Sequence, residues 1–162
     1  FIAGQCDAWS ADRSQLVALR SEFPDGPDAL TILPEVFSKE PLGPAVADGD
    51  TTWAQAVNWA VLATIQAEEF GIDSTNVDTF SDSEDVSIQR FLGLEVTGDD
   101  GAAVLDPGLG LPTDFAYQVV SQVGNYGETF ERNLGKQSPL KIKRGLNALW
   151  RDGGLMYAPP VR

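Results

Sequence analysis

The amino-acid sequence predicts a helix-rich α/β fold. Apolar residues recur at helical spacing in several capped stretches, and short β-leaning runs bounded by proline lie between the first two of them. The composition is that of a chain with a core: 43% hydrophobic and 22% charged residues exclude disorder, although 24 acidic residues face only 11 basic ones. At 162 residues one domain is expected, able to bury roughly 70% of the surface its unfolded chain exposes.

The first helix follows a short strand expected at residues 6–10. Leu16, Leu19 and Arg20 fall at helical spacing behind Ser10 and Asp12, either of which can cap the helix by accepting from its free first-turn amides. Pro24, Gly26 and Pro27 stop it. Residues 29–33 and 42–47 read as two extended runs, separated by Pro34, residues 35–40 and Pro41. Two such runs without a helix between them fit either a crossing connection or an edge hairpin. With residues 6–10, they are expected to form a small sheet.

Asp50 and Thr51 cap the clearest helix, whose stripe is Trp53, Val57, Ala60, Val61, Ile65 and Phe70 and whose stop is Gly71. Ser81 to Glu84 reads as a capping box for a short helix carrying Val86, Ile88, Phe91 and Leu92 and ended by Gly93. Residues 97–112, with four glycines and two prolines, read as a solvated loop; no Gly-Lys-Ser/Thr order makes it a phosphate loop. Pro112, Thr113 and Asp114 open a helix with Phe115, Val119 and Val123 on one stripe. Tyr126 and Phe130 lie on the next, and Ile142, Leu146, Leu149 and Trp150 predict a last one. Residues 153–160 are expected to pack as an extended tail, because Leu155, Met156 and Tyr157 are too apolar for a free end.

Charge and composition narrow the function. A net charge of −13 repels phosphate backbones and anionic lipid, and the short Lys141, Lys143, Arg144 cluster does not reverse that field. No nucleic-acid partner is expected. The absence of histidine removes the commonest general base and transition-metal ligand, so no catalytic residue, metal or cofactor is expected. Cys6 is the one cysteine; a lone thiol reads first as a buried, inert one. The first residues, beginning at Phe1, read as an element already in progress, and the chain is expected to be a piece of a longer protein.

The run Gly4-Gln5-Cys6-Asp7-Ala8-Trp9-Ser10-Ala11-Asp12, then Ile32-Leu33-Pro34-Glu35 and Ser38-Lys39-Glu40-Pro41-Leu42-Gly43-Pro44, resembles the closing part of polar amino-acid-binding proteins of ABC importers. The later runs 123–133, 140–150 and 154–162, among them Gly124-Asn125-Tyr126-Gly127-Glu128 and Gly154-Leu155-Met156-Tyr157-Ala158-Pro159-Pro160, are similar to the C-terminal extension of the general L-amino-acid-binding subfamily. The likeness covers most of the chain outside the acidic loops near residues 73–86 and 95–110. It implies a partial type II periplasmic-binding-protein fold: two α/β lobes joined by crossing strands, with the ligand enclosed between them by a hinge motion. On that mapping residues 1–29 end the second lobe, 30–47 are the hinge and crossing strands, and 48–162 complete the first lobe with its helical extension.

The resemblance also implies function: capture of L-amino acids in the periplasm and delivery to the membrane permease subunits of the importer. A free amino acid presents an ammonium and a carboxylate on one carbon, so its binder needs an anionic acceptor and a cationic or amide clamp. Asp12 stands where the family places the ammonium acceptor. Without the resemblance, a helix cap explains the same residue. The carboxylate clamp belongs to parts of the family fold outside this chain, as does a cysteine with which Cys6 would pair. Arg13 and Ser10 border the same region without an assigned role. Trp53, Phe115 and Trp150 read as core or lobe-packing groups.

Two other classes remain open on sequence alone. A stand-alone acidic helical module would use exposed apolar surface to self-associate or to bind a protein partner. An enzyme would have only acidic pairs such as Glu68 with Glu69, Asp82 with Glu84 and Asp99 with Asp100, which read as solvated faces.

Overall fold

The computed structural model describes residues 1–96 and 108–160. Its helices are α1 (Arg13–Ser21), α2 (Thr51–Phe70), α3 (Val86–Leu92), α4 (Phe115–Val123) and α5 (Tyr126–Asn133), with 3-10 turns at Pro27–Ala29, Val77–Phe80, Gly145–Asn147 and Trp150–Asp152.

α2 organises the packing. Asp50 accepts the Trp53 N–H at 2.9 Å, satisfying one of the amides a helix start leaves unpaired. Gly71 closes the helix in the left-handed region, at φ 72°. Both ends are as the sequence predicts. The buried face of α2 includes Ala63, Ile65 and Ala67. Ala63, Ala67 and Ala116 of α4 carry single methyl groups, which allow the close approach by which α4 packs on α2; α5 also packs on α2, and α3 packs on α4.

Ile72, Val77, Ile88, Phe91, Leu92, Leu109, Phe115 and Val120 fill the remaining core. Phe91 is 1% exposed and meets Phe70 edge-on, ring centroids 5.6 Å apart. Gly93 ends α3 at φ 71°. A Cβ there would lie 2.6 Å from the Thr113 carbonyl carbon, so glycine lets the entry to α4 pass against the end of α3.

Several expectations are corrected. Among the described residues no strand forms; Leu149 and Met156 make an isolated parallel bridge, and Val96 is also a bridge residue. The β-leaning runs within residues 6–47 are extended or irregular, because a strand exists only against a partner and the fold places none beside them. α3 begins one turn later than the Ser81 box, capped by Asp85, which accepts from Ser87 N and Ile88 N. Ser81 instead follows the 3-10 turn Val77–Phe80. The last expected helix is two 3-10 turns, Gly145–Asn147 and Trp150–Asp152, separated by Ala148 and Leu149, whose backbones are extended (ψ 161° and 151°).

The stripes are shifted too. α4 buries Phe115, Ala116 and Val120, while Val123 is exposed. Trp53 and Trp150 are 56% and 62% exposed, so of the three aromatic residues read as core or lobe-packing groups only Phe115 lies in this core. Cys6 is an exposed free thiol, not a buried one. Residues 97–107 of the expected loop, including the Asp99 and Asp100 pair, lie outside the described residues.

Candidate functional site

Asp12 occupies the residue before α1, with extended backbone (φ −54°, ψ 139°). Its carbonyl accepts from Leu16 N at 2.9 Å, the first helical hydrogen bond. Its carboxylate caps nothing. The side chain thus stands in the capping position without performing the capping role, and both carboxylate oxygens keep their acceptor capacity for another donor. Asp12 is half-buried, and Ser10 and Arg13 beside it are exposed. The structure does not bring these three residues to any other candidate group.

The acidic pair Glu68–Glu69 is structural. Glu68 accepts Arg144 Nη1 and Nη2 at 2.9 and 3.0 Å, a two-point ion pair in which each side chain is 19% exposed. The same guanidinium donates to the Asn147 carbonyl through Nε and Nη2, at 3.0 and 2.8 Å. It also lies 5.4 Å from the Tyr126 ring centre and 5.3 Å from that of Phe130. Arg151 donates to the carbonyls of Glu69 and Glu68, at 2.8 and 3.2 Å; the Glu68 carbonyl also accepts from Gly71 N at 3.1 Å. Glu69 accepts Trp150 Nε1 at 3.0 Å and Ala158 N at 3.2 Å. The tail is fastened to the end of α2 through Ala158 and turns back on residues 146–149 through Gly154, Leu155 and Met156, but Leu155 and Tyr157, expected to pack, are 63% and 67% exposed.

Sequence spacing missed these contacts because the partners lie 76 to 89 residues apart. It also missed a capping box whose signal was present. Asn125 accepts from Glu128 N, Glu128 accepts from Asn125 N, and Asn125 Nδ2 donates to the Ile72 carbonyl at 2.8 Å.

The fastening has a testable pH dependence. Burial, opposed by Arg144 and assisted by Glu68, raises the Tyr126 phenol above its ordinary pKa of 10.0. A raised folded pKa contributes stability that is present below pH 10 and lost as pH rises through the raised value. Arg144→Ala is expected to cost about 2–3 kcal/mol, below the full penalty for breaking a buried pair because this one is partly solvated. Urea unfolding at pH 7, together with intrinsic tryptophan fluorescence followed from pH 9 upward, checks both effects; the variant should lose the Arg144 contribution to the alkaline transition.

Among the described residues no group of three or more His, Cys, Asp or Glu side chains is placed to hold a metal, and no helix is long and apolar enough to cross a membrane.

The fold is that of part of a type II periplasmic binding protein. A solved ABC transporter periplasmic binding protein from Brucella ovis, with glutathione bound, matches 99% of this chain at TM-score 0.88 and 46% identity, and the match takes up 48% of that protein. Along its length the chain is homologous to amino-acid-binding periplasmic proteins. It is 53% identical over 162 residues to the general L-amino acid-binding periplasmic protein AapJ of Rhizobium johnstonii. It is 45% identical over 163 residues to the glutamate/glutamine/aspartate/asparagine-binding protein BztA of Rhodobacter capsulatus. The chain spans about half the length of these curated relatives, 46% of each. No protein-family model matches it.

Proposed function

We propose that this chain is the C-terminal part of a periplasmic solute-binding protein that captures L-amino acids and delivers them to the membrane subunits of an ABC importer. The observation that carries the reading is 53% identity to a general L-amino-acid-binding protein over the whole chain. Its relatives are binding proteins, and the reading is binding without chemistry. Residues 1–29 would end the second lobe, 30–47 would cross between lobes, and 48–162 would complete the first. In support, every buried apolar residue lies at or after Ala56, as expected if the earlier residues pack elsewhere.

In this reading Asp12 accepts the ligand ammonium. The ligands named for the relatives share a chemical group: glutathione presents, through its γ-glutamyl residue, the same free α-ammonium and α-carboxylate as glutamate or glutamine. A site that holds this head group and leaves the side chain toward the cleft opening takes free amino acids and γ-glutamyl compounds alike. Glutamate, glutamine and glutathione are the first ligands to test.

Asp12 alone is one anchor of several, and a single charged contact does not offset the cost of immobilising a small ligand. Calorimetric titration of the 162-residue chain should show no binding of glutamate tighter than millimolar. A joined polypeptide, in which the part of AapJ outside the matched stretch precedes this chain, should bind it. Micromolar binding by the 162 residues alone, or none by the joined form, contradicts the reading.

A further inference from the structure

The sequence contains the Asp–Gly steps Asp25–Gly26, Asp48–Gly49, Asp100–Gly101 and Asp152–Gly153. A glycine after an aspartate leaves the next amide nitrogen unshielded by a side chain, so that nitrogen can approach the side-chain carbon of the aspartate before it. Asp100–Gly101 lies outside the described residues. The fold treats the other three differently. Gly26 N donates to the Phe23 carbonyl at 2.9 Å and Gly153 N to the Trp150 carbonyl at 3.2 Å, so both amides are engaged in backbone turns.

Gly49 N donates instead to Asp48 Oδ1, at 2.9 Å. The carbon that carries this oxygen is the one a backbone nitrogen would attack. The turn therefore holds the two reacting groups side by side, which removes much of the entropic cost of an intramolecular reaction. Both residues are exposed, and a Cβ added to Gly49 would meet nothing within 4 Å. A five-membered ring has room to form there, and water has access to it.

We propose that Asp48–Gly49 is a site of spontaneous backbone modification, at which Asp48 converts to isoaspartate through a succinimide. The Gly49 nitrogen forms a bond to Cγ of the protonated Asp48 carboxyl, and the amide hydrogen leaves with the carboxyl hydroxyl as water. A second water then opens the ring at the former backbone carbonyl of Asp48. That carbon takes the hydroxyl, its bond to the Gly49 nitrogen breaks, and the nitrogen takes the hydrogen. The chain now runs through Cγ, and the former backbone carbonyl is a free carboxyl group. One water leaves and one enters, so the mass is unchanged. The product carries an extra backbone methylene two residues before Asp50, whose carboxylate caps α2. The proposal is independent of the functional reading above.

The test is incubation of the 162-residue chain in mildly acidic buffer made with heavy-oxygen water, with and without denaturing urea. Peptide mapping with electron-transfer fragmentation then distinguishes isoaspartate from aspartate at each step. In the folded chain Asp48 should convert several-fold faster than Asp25 and Asp152, and its product should carry one heavy oxygen. In urea, where the turns that engage Gly26 N and Gly153 N are lost, the lead of Asp48 should shrink. Conversion at Asp25 or Asp152 as fast as at Asp48 in the folded chain overturns the proposal. So does a lead that persists undiminished in urea, a product without heavy oxygen, or an Asp48 that stays unconverted in the folded chain while the unfolded chain converts.

Discussion

Asp12→Asn in the joined polypeptide weakens glutamate binding by about tenfold to a hundredfold. A hydrogen bond to a charged group contributes about 1.5–3 kcal/mol, and each 1.4 kcal/mol is about a factor of ten in affinity. Asparagine keeps the size and one acceptor of the aspartate but removes the charge that the ammonium needs. Fold stability should change by less than about 0.5 kcal/mol, because the Asp12 carboxylate caps nothing in α1. Calorimetric titration measures the affinity and thermal unfolding the stability. A large loss of stability would mean that Asp12 is structural.

Phe91→Ala costs about 3–5 kcal/mol, the range for deleting a fully buried aromatic ring. The ring is 1% exposed, meets Phe70 edge-on and sits in the core with residues of α2, α3 and α4, so the space it leaves cannot close without shifting a helix. Set against a domain stability of about 5–15 kcal/mol, this loss brings the chain near unfolding at ordinary temperature. Phe37→Ala provides the contrast: at 95% exposure it should change the stability of the 162-residue chain by less than about 0.5 kcal/mol. Urea titration of the two variants measures both, and equal effects would show that residues 29–47 share the core.

The parts of the fold that depend on neighbours in sequence were legible in it. Asp50, Gly71 and Gly93 mark helix ends because capping and left-handed termination are settled within a turn. Where two local signals compete, spacing chose wrongly: the Ser81 box fits the capping pattern, yet Asp85 caps α3. The sheet was unreadable for a different reason. Residues 29–33 and 42–47 have strand composition, but a strand is a property of a pair, and the described residues supply no partner.

The candidate site shows the same division. Asp12 is identifiable as a helix-start residue from its spacing, and only the likeness of residues 4–12 to a known family gives it a ligand to hold. Its uncapped carboxylate adds a physical observation that the sequence did not contain. Arg144 was visible only as part of a basic cluster; its pairing with Glu68, across 76 residues, required the fold.

In the proposed function Asp12 receives the ammonium of an amino acid. Its most direct test is calorimetric titration of the joined polypeptide and its Asp12→Asn variant with glutamate and with glutarate, which keeps both carboxylates and lacks the ammonium. The variant should lose affinity for glutamate and bind glutarate no more weakly than the unsubstituted form. Equal weakening of both ligands, or of neither, contradicts it.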